Sequence, residues 1–210
     1  MKKMKLFLGL GVIAAMAACN SGNESTSETT EKADAKKEPT AEVVTHSVDT
    51  SQSMVMWKGV MLGVKDHTGT LAFSEAKIKT QDGEVVGGSF VVDMQSMVAT
   101  DDNYQPEEGK TKEKLIGHLM SDDFFAVANH PTSKFVIENV EGNTATGKLT
   151  VRGKTNEATV ENFEFNQETG MVTGTMTFDR QKYNVSFSTG AADFVISDDI
   201  VVDVKMKVQG

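Results

Sequence analysis

The chain has 210 residues and carries 30 acidic against 21 basic side chains, a formal charge of −9 at neutral pH. Without Lys2, Lys3 and Lys5 the balance falls to 18 basic against 30 acidic, or −12. A chain this acidic, with no basic cluster, is poorly suited to the phosphate backbone of a nucleic acid or to an anionic membrane surface, so we exclude nucleic-acid partners.

The N-terminus has the pattern of an export signal. Lys2, Lys3 and Lys5 precede an apolar run of 13 residues, 6–18. That run is too short to span a bilayer, but it suits the core of a secretory signal and ends in small residues before Cys19. We therefore predict a signal peptide over residues 1–18 and an exported protein.

Cys19 is the single cysteine, so it has no internal disulfide partner. The segment Met16-Ala17-Ala18-Cys19 resembles the end of a bacterial lipoprotein signal, which implies cleavage before Cys19 and acyl chains on its sulfur and amino group. Several acyl chains hold a protein stably on a membrane where one chain does not. The predicted localisation is lipid-anchored in the bacterial cell envelope, facing the periplasm or on the cell surface. The alternative is an ordinary signal peptide that happens to contain a cysteine.

Residues 19–45 are predicted to be a flexible tether. Residues 20–40 contain no aromatic and no branched aliphatic side chain. Such a segment buries too little apolar surface to offset the entropy of ordering. The remaining residues, 46–210, have the size of one domain with its own core.

Within that domain most segments read as short strands with alternating apolar residues. One interruption, between residues 96 and 131, has helical spacing, and Thr111 is a candidate N-cap. A second short turn after Ser121 would carry Phe124 and Phe125. The predicted strands are residues 54–60, 69–74, 90–94, 135–137, 144–152, 158–165, 171–179, 183–187 and 200–208.

This pattern predicts an all-β fold, an antiparallel β-barrel of about eight strands with a short helical insert at about residues 111–126. A sandwich is the other arrangement that such strands allow. A barrel of eight strands is either filled by its own side chains or holds one small ligand. The nine Met that follow Cys19 and the Phe on the strands suit either alternative.

The domain contains four short motifs in order: Gly117–Phe125 (GHLMSDDFF), His130–Phe135 (HPTSKF), Gly147–Thr155 (GKLTVRGKT) and Asp179-Arg180. Their order and spacing resemble those of the YceI-like family, and the similarity covers nearly all of residues 48–208. The resemblance implies a lipocalin-like barrel whose apolar bore holds a long isoprenoid or another lipid.

The resemblance also implies a set of ligand-binding residues in this chain. Each apolar member has the alternative of being a plain core residue. The expected lining consists of Trp57, Leu71, Phe73, Phe90, Phe124, Phe125, Phe135, Met176, Phe178 and Phe187.

Two polar residues, His118 and Arg152, are candidates for contact with a ligand headgroup. The favoured alternative makes His118 a helix-to-barrel hydrogen bond and Arg152 a partner of Asp179 or another carboxylate. Many family members carry Arg-Asp where this chain has Leu115-Ile116, and the lost Arg removes a bidentate phosphate donor. A fatty acid, an amide or a quinone is therefore an alternative to a lipid pyrophosphate.

No enzyme is predicted. The histidines, His46, His67, His118 and His130, have no metal-ligand spacing, and the sequence contains neither a serine elbow nor a glycine-rich phosphate loop. No cofactor and no metal are expected. The expected partners are a long-chain lipid and, through Cys19, a membrane, and a homodimer is one alternative for the oligomeric state. The competing function is a scaffold, adhesive or stress-related lipoprotein with a filled barrel.

Overall fold

The computed structural model describes residues 41–188, 190 and 195–209. The predicted signal peptide, Cys19 and the tether up to residue 40 lie outside these residues. Eight antiparallel strands, each paired with its neighbours in sequence, close into a barrel through pairing of the first with the last. The strands are β1 (Val44–Met61), β2 (Lys65–Gln81), β3 (Glu84–Ala99), β4 (Thr132–Glu141), β5 (Thr144–Val151), β6 (Lys154–Asn166), β7 (Met171–Asp179) and β8 (Ile196–Val208).

The inside of the barrel is set by alternation along each strand. On β7, Val172 and Met176 are buried while Thr173 between them is exposed. On β8, Ile200 and Met206 are buried while Lys205 is exposed. Successive strand residues point to opposite faces, so the predicted apolar faces of both strands are confirmed as the interior faces.

Closure of the barrel depends on β1, which pairs with both β2 and β8. Its pairing with β8 is interrupted between Asp49 and Met54. There the Ser53 hydroxyl donates to the Asp49 carbonyl at 2.6 Å and accepts from the Lys207 N–H at 2.9 Å. The bulge thus keeps its backbone groups satisfied while the strand bends around the barrel.

The β5–β6 connection is a hairpin of two residues, Arg152 and Gly153. Both have positive φ, 47° and 71°, as a type I′ turn requires. A Cβ at Gly153 would also lie 2.9 Å from the His130 ring, so glycine is required here on two counts.

The insert between β3 and β4 contains one helix, α1 (Lys112–Met120). The Thr111 side chain accepts from the Lys114 N–H at 3.3 Å, which confirms the predicted N-cap. Residues after Ser121 form turns that bury Phe124 and Phe125. In the part of the chain described here, no helix has the length and apolar character needed to cross a bilayer.

One predicted strand, residues 183–187, is wrong. Tyr183 ends a 3₁₀ turn, Arg180–Tyr183, and the residues that follow it are irregular. The cause is Arg180, only 3% exposed, whose guanidinium binds the carbonyls of Val185 at 2.6 Å and Phe187 at 3.1 Å. These carbonyls are therefore bound by a side chain and not by a neighbouring strand.

Candidate ligand cavity

The barrel encloses a cavity of about 470 Å³, lined almost entirely by apolar side chains. Its volume lies within the range of roughly 300–1,000 Å³ that is typical of small-molecule sites. Residues of all eight strands, α1 and the segment after the Arg180–Tyr183 3₁₀ turn contribute to it. The barrel is therefore hollow.

The predicted apolar lining residues converge on this cavity. All ten line it: Trp57, Leu71, Phe73, Phe90, Phe124, Phe125, Phe135, Met176, Phe178 and Phe187. Most are buried, and Phe178 and Phe187 are partly buried. Their positions make them available to an apolar ligand.

An aromatic cluster forms the part of the lining below α1. The His118 ring packs edge-on against Phe187, with centroids 4.4 Å apart, and against Phe124 at 5.8 Å. Phe124 in turn packs edge-on against Phe125 at 4.9 Å. The contacts of the His118 ring are therefore ring packing and not the predicted helix-to-barrel hydrogen bond, and the ring lines the cavity.

Arg152 is not among the cavity-lining residues, and its expected partner, Asp179, is not its partner. Its guanidinium donates to the carbonyl of Asn184 and, at 2.7 Å, to that of Asp122. The Asp179 carboxylate instead accepts from the Gln181 N–H at 2.8 Å. Since Arg152 occupies the tip of the β5–β6 hairpin, its side chain reaches the neighbouring loops and not the bore.

Arg180 supports the cavity from outside. Besides Val185 and Phe187 it binds the carbonyl of Ser197 at 3.0 Å, and its guanidinium pairs with Asp198 at 3.0 Å. These contacts fix Phe187 against the bore. Arg180 therefore joins the residues after the 3₁₀ turn to the start of β8.

One end of the barrel is packed solid. Ile78, Ala145 and Val172 are 0% exposed and none of them lines the cavity. They come from β2, β5 and β7, so apolar side chains from several sides of the barrel fill this end. The cavity is therefore blind there.

The other end, which we call the mouth, is lined by Lys65, His67, Tyr104, Lys110 and Lys114. Lys110 and Lys114 are exposed, so the cavity meets solvent here. Lys65 and His67 lie on the same inward face of β2 as Leu71, at every second residue. This alternation along β2 is the sequence signal that could have identified them. This polar rim was not predicted from the sequence.

Asp101 joins several groups at the mouth by hydrogen bonds. Its carboxylate accepts from the His67 ring at 3.1 Å, the Tyr104 hydroxyl at 3.0 Å, and the backbone N–H groups of Thr68 and Asn103 at 3.0 and 2.9 Å. Burial alone would raise the pKa of Asp101, but these hydrogen bonds hold it below its ordinary value. Burial, together with the Asp101 charge, raises the pKa of Tyr104.

Trp57 lies directly against Gly69, its partner on β2. A Cβ at Gly69 would lie 2.4 Å from the indole and 1.9 Å from the Val98 carbonyl, so only glycine fits. Among the residues described, Trp57 Nε1 is the one buried side-chain N or O atom without a hydrogen-bond partner. An unpaired donor costs about 1–3 kcal/mol, which the large apolar area of the buried indole offsets.

Within residues 41–188, 190 and 195–209, no group of three His, Cys, Asp or Glu side chains is placed to hold a metal ion.

The cavity lining also contains apolar residues that were not predicted from the sequence. Their common signal is the inward alternation of their strands, and they include Leu149, Val151, Val160, Val202, Val204 and Met206.

Comparison with known proteins gives a family match and several relatives. Residues 45–208 match the model of the YceI-like domain. UPF0312 proteins of two Staphylococcus epidermidis strains are 35% identical over an 82-residue alignment, and the match covers 34% of this chain and 46% of theirs. The chain thus matches about half the length of these curated relatives.

Two solved structures are among those similar to this chain. Burkholderia cenocepacia BcnA has a TM-score of 0.57 at 20% identity, over 78% of this chain and 99% of that one. A polyisoprenoid binding domain from Saccharophagus degradans, implicated in plant cell wall breakdown, has a TM-score of 0.47 at 12% identity, over 79% and 97% of the two chains. The similarity to BcnA shows a shared fold.

Proposed function

This chain belongs to the YceI-like domain family, and we propose that it binds one long apolar ligand, a polyisoprenoid or related lipid, in the bore of its barrel. The observation that carries the proposal is the cavity of about 470 Å³, blind at one end and lined by apolar side chains. Each CH₂ group of a lipid tail gains about 0.8 kcal/mol on leaving water, so such a bore favours a long chain. The same volume argues against a filled barrel that serves only as a scaffold.

The tail is expected to run past the middle of β8. There Val202 lies between Trp57 on β1 and Met176 on β7, and it faces the cavity. Its neighbour Val201 belongs to the opposite face of the same strand. These two positions give a matched pair, since the same substitution fills the bore at one and leaves it open at the other.

We expect Val202→Trp to abolish ligand binding and Val201→Trp to retain it. The measurement is lipid extraction and mass spectrometry of each protein purified from its own host, supported by circular dichroism to confirm folding. The unsubstituted chain should yield a stoichiometric long-chain compound. A clean extract from it, together with no binding of added farnesol or palmitic acid, would refute the carrier function and favour the scaffold.

We also propose that an acylated Cys19 fastens the domain to a membrane of the bacterial envelope, where the ligand is stored, transported or sensed. The basis is the sequence of the N-terminus alone. Metabolic labelling with palmitate should mark the wild-type protein but not Cys19→Ser, and the variant should leave the membrane fraction. Equal membrane retention of both proteins would refute the anchor without affecting the proposed ligand.

A further inference from the structure

We infer that the ligand carries an anionic head, a carboxylate or a phosphate, held at the mouth by Lys65 and Lys114. This inference rests on the proposed function and specifies the chemical class of its ligand. The whole chain has 30 acidic residues, yet no Asp or Glu is among the residues that line the cavity, whereas four lysines are.

Two of the four lysines contribute little free charge to the bore. Lys134 is exposed and lies between the inward-facing Ser133 and Phe135 on β4, so it belongs to the outer face. Lys110 already pairs with Glu108 at 2.6 Å. Lys65 and Lys114 therefore remain as the cations that the mouth can offer.

Both remaining lysines are placed at the rim. Lys65 is half-buried on the inward face of β2, and its Nζ donates to the Asn103 carbonyl at 3.1 Å. Lys114 projects from the first turn of α1, with Nζ 3.0 Å from the point that a Cβ on Gly109 would occupy. Among the residues described, neither lysine has a carboxylate within ion-pair distance.

Three carboxylates near the mouth are bound elsewhere. Asp66 pairs with Lys58 at 2.7 Å, and Asp102 pairs with Lys112 at 3.3 Å. Asp101 is occupied by its four hydrogen-bond donors. Two ammonium groups above an apolar bore are thus left without counter-charge, and a lipid whose tail fills the bore would bring its head to them.

The test compares lipids with the same tail and different heads. Palmitic acid, hexadecyl phosphate and the neutral hexadecanol compete against a bound fluorescent probe at low ionic strength, where surface charges are least screened. We expect the two anions to bind about 10-fold tighter than the alcohol, the size of one charge-assisted contact. Their ratio to each other identifies the carboxylate or the phosphate as the preferred head, and inorganic phosphate and acetate should not compete.

The double variant Lys65→Gln/Lys114→Gln should lose this preference and keep its affinity for hexadecanol. Lys77→Gln is the control, because Lys77 is an exposed residue of the same strand outside the cavity lining, and it should leave the preference unchanged. Equal affinity of the wild-type protein for acid and alcohol, or a preference that survives in the double variant, overturns the anionic head and leaves the carrier function standing. No binding of any tail overturns the carrier function itself.

Discussion

At the scale of single residues, the shape of the mouth depends most on Asp101. One carboxylate joins the start of β2, through His67 and Thr68, to the loop that carries Tyr104. A carboxylate only accepts hydrogen bonds, so both its oxygens suit a site that presents four donors. Its loss would loosen Lys65 as well, because that side chain is bound to the same loop.

Asp101→Asn is expected to lower the free energy of unfolding by about 1–3 kcal/mol at pH 7, since the amide places a donor where the site supplies donors. The folded-state pKa of Asp101 lies below its ordinary value, so its contribution is complete above roughly pH 4 and is lost as the pH falls through the folded pKa. Urea unfolding of both proteins at pH 7 and pH 3 should therefore give a smaller difference at the lower pH.

Asp82→Asn provides the matched control for this pH dependence. Asp82 occupies the tip of the β2–β3 hairpin with a φ of 52°, a conformation that Asn adopts as readily as Asp. We expect its effect to stay within about 0.5 kcal/mol at both pH values, as for most surface substitutions. A constant difference between wild type and Asp101→Asn across the pH range would contradict the role assigned to that carboxylate.

At the scale of elements, alternation made the barrel predictable. Residues such as Phe90, Val92 and Met94 on β3 repeat with the period of two that a strand facing a core requires. The predicted strands were mostly too short, because β1 and β2 extend through polar or bulged stretches whose pairing is decided by neighbouring strands.

The helical insert was predictable because its start is a local event. The Thr111 cap depends on residues three positions apart. The segment after Tyr183 was not predictable, because its apolar alternation imitates a strand while a buried guanidinium binds its carbonyls. Patterns of side chains reveal local preferences, but they do not reveal which backbone carbonyls a buried guanidinium will bind.

The residues of the candidate site were also predictable only in part. Aromatic residues at inward positions could be assigned to the bore from the strand period and the family resemblance. The placement of Lys65 and Lys114 at the rim could not, because it depends on where α1 and the Asp101 loop return to the barrel. Arg152 was misplaced for a related reason, since a hairpin tip can contact either the bore or the flanking loops.

At the scale of the whole molecule, the free-energy cost of an empty cavity is comparable with the total stability of a folded domain. A void of about 470 Å³ would cost on the order of 10 kcal/mol at roughly 24 cal/mol per Å³, an upper limit because the mouth admits water. Folded domains are stable by only about 5–15 kcal/mol. A barrel that keeps this space therefore has a strong energetic reason to fill it with an apolar chain.

Filling the bore should raise the melting temperature of the domain. A ligand at 100 times its Kd that binds only the folded state adds about 2.7 kcal/mol, which corresponds to a rise of roughly 5–10 °C for a domain of this size. The measurement is a thermal scan of delipidated protein with increasing palmitic acid or farnesol. Val202→Trp, whose indole would occupy the bore, should melt at one temperature throughout the titration, because binding in the bore is the source of the rise. An equal rise in this variant would place the lipid on the outer surface of the barrel.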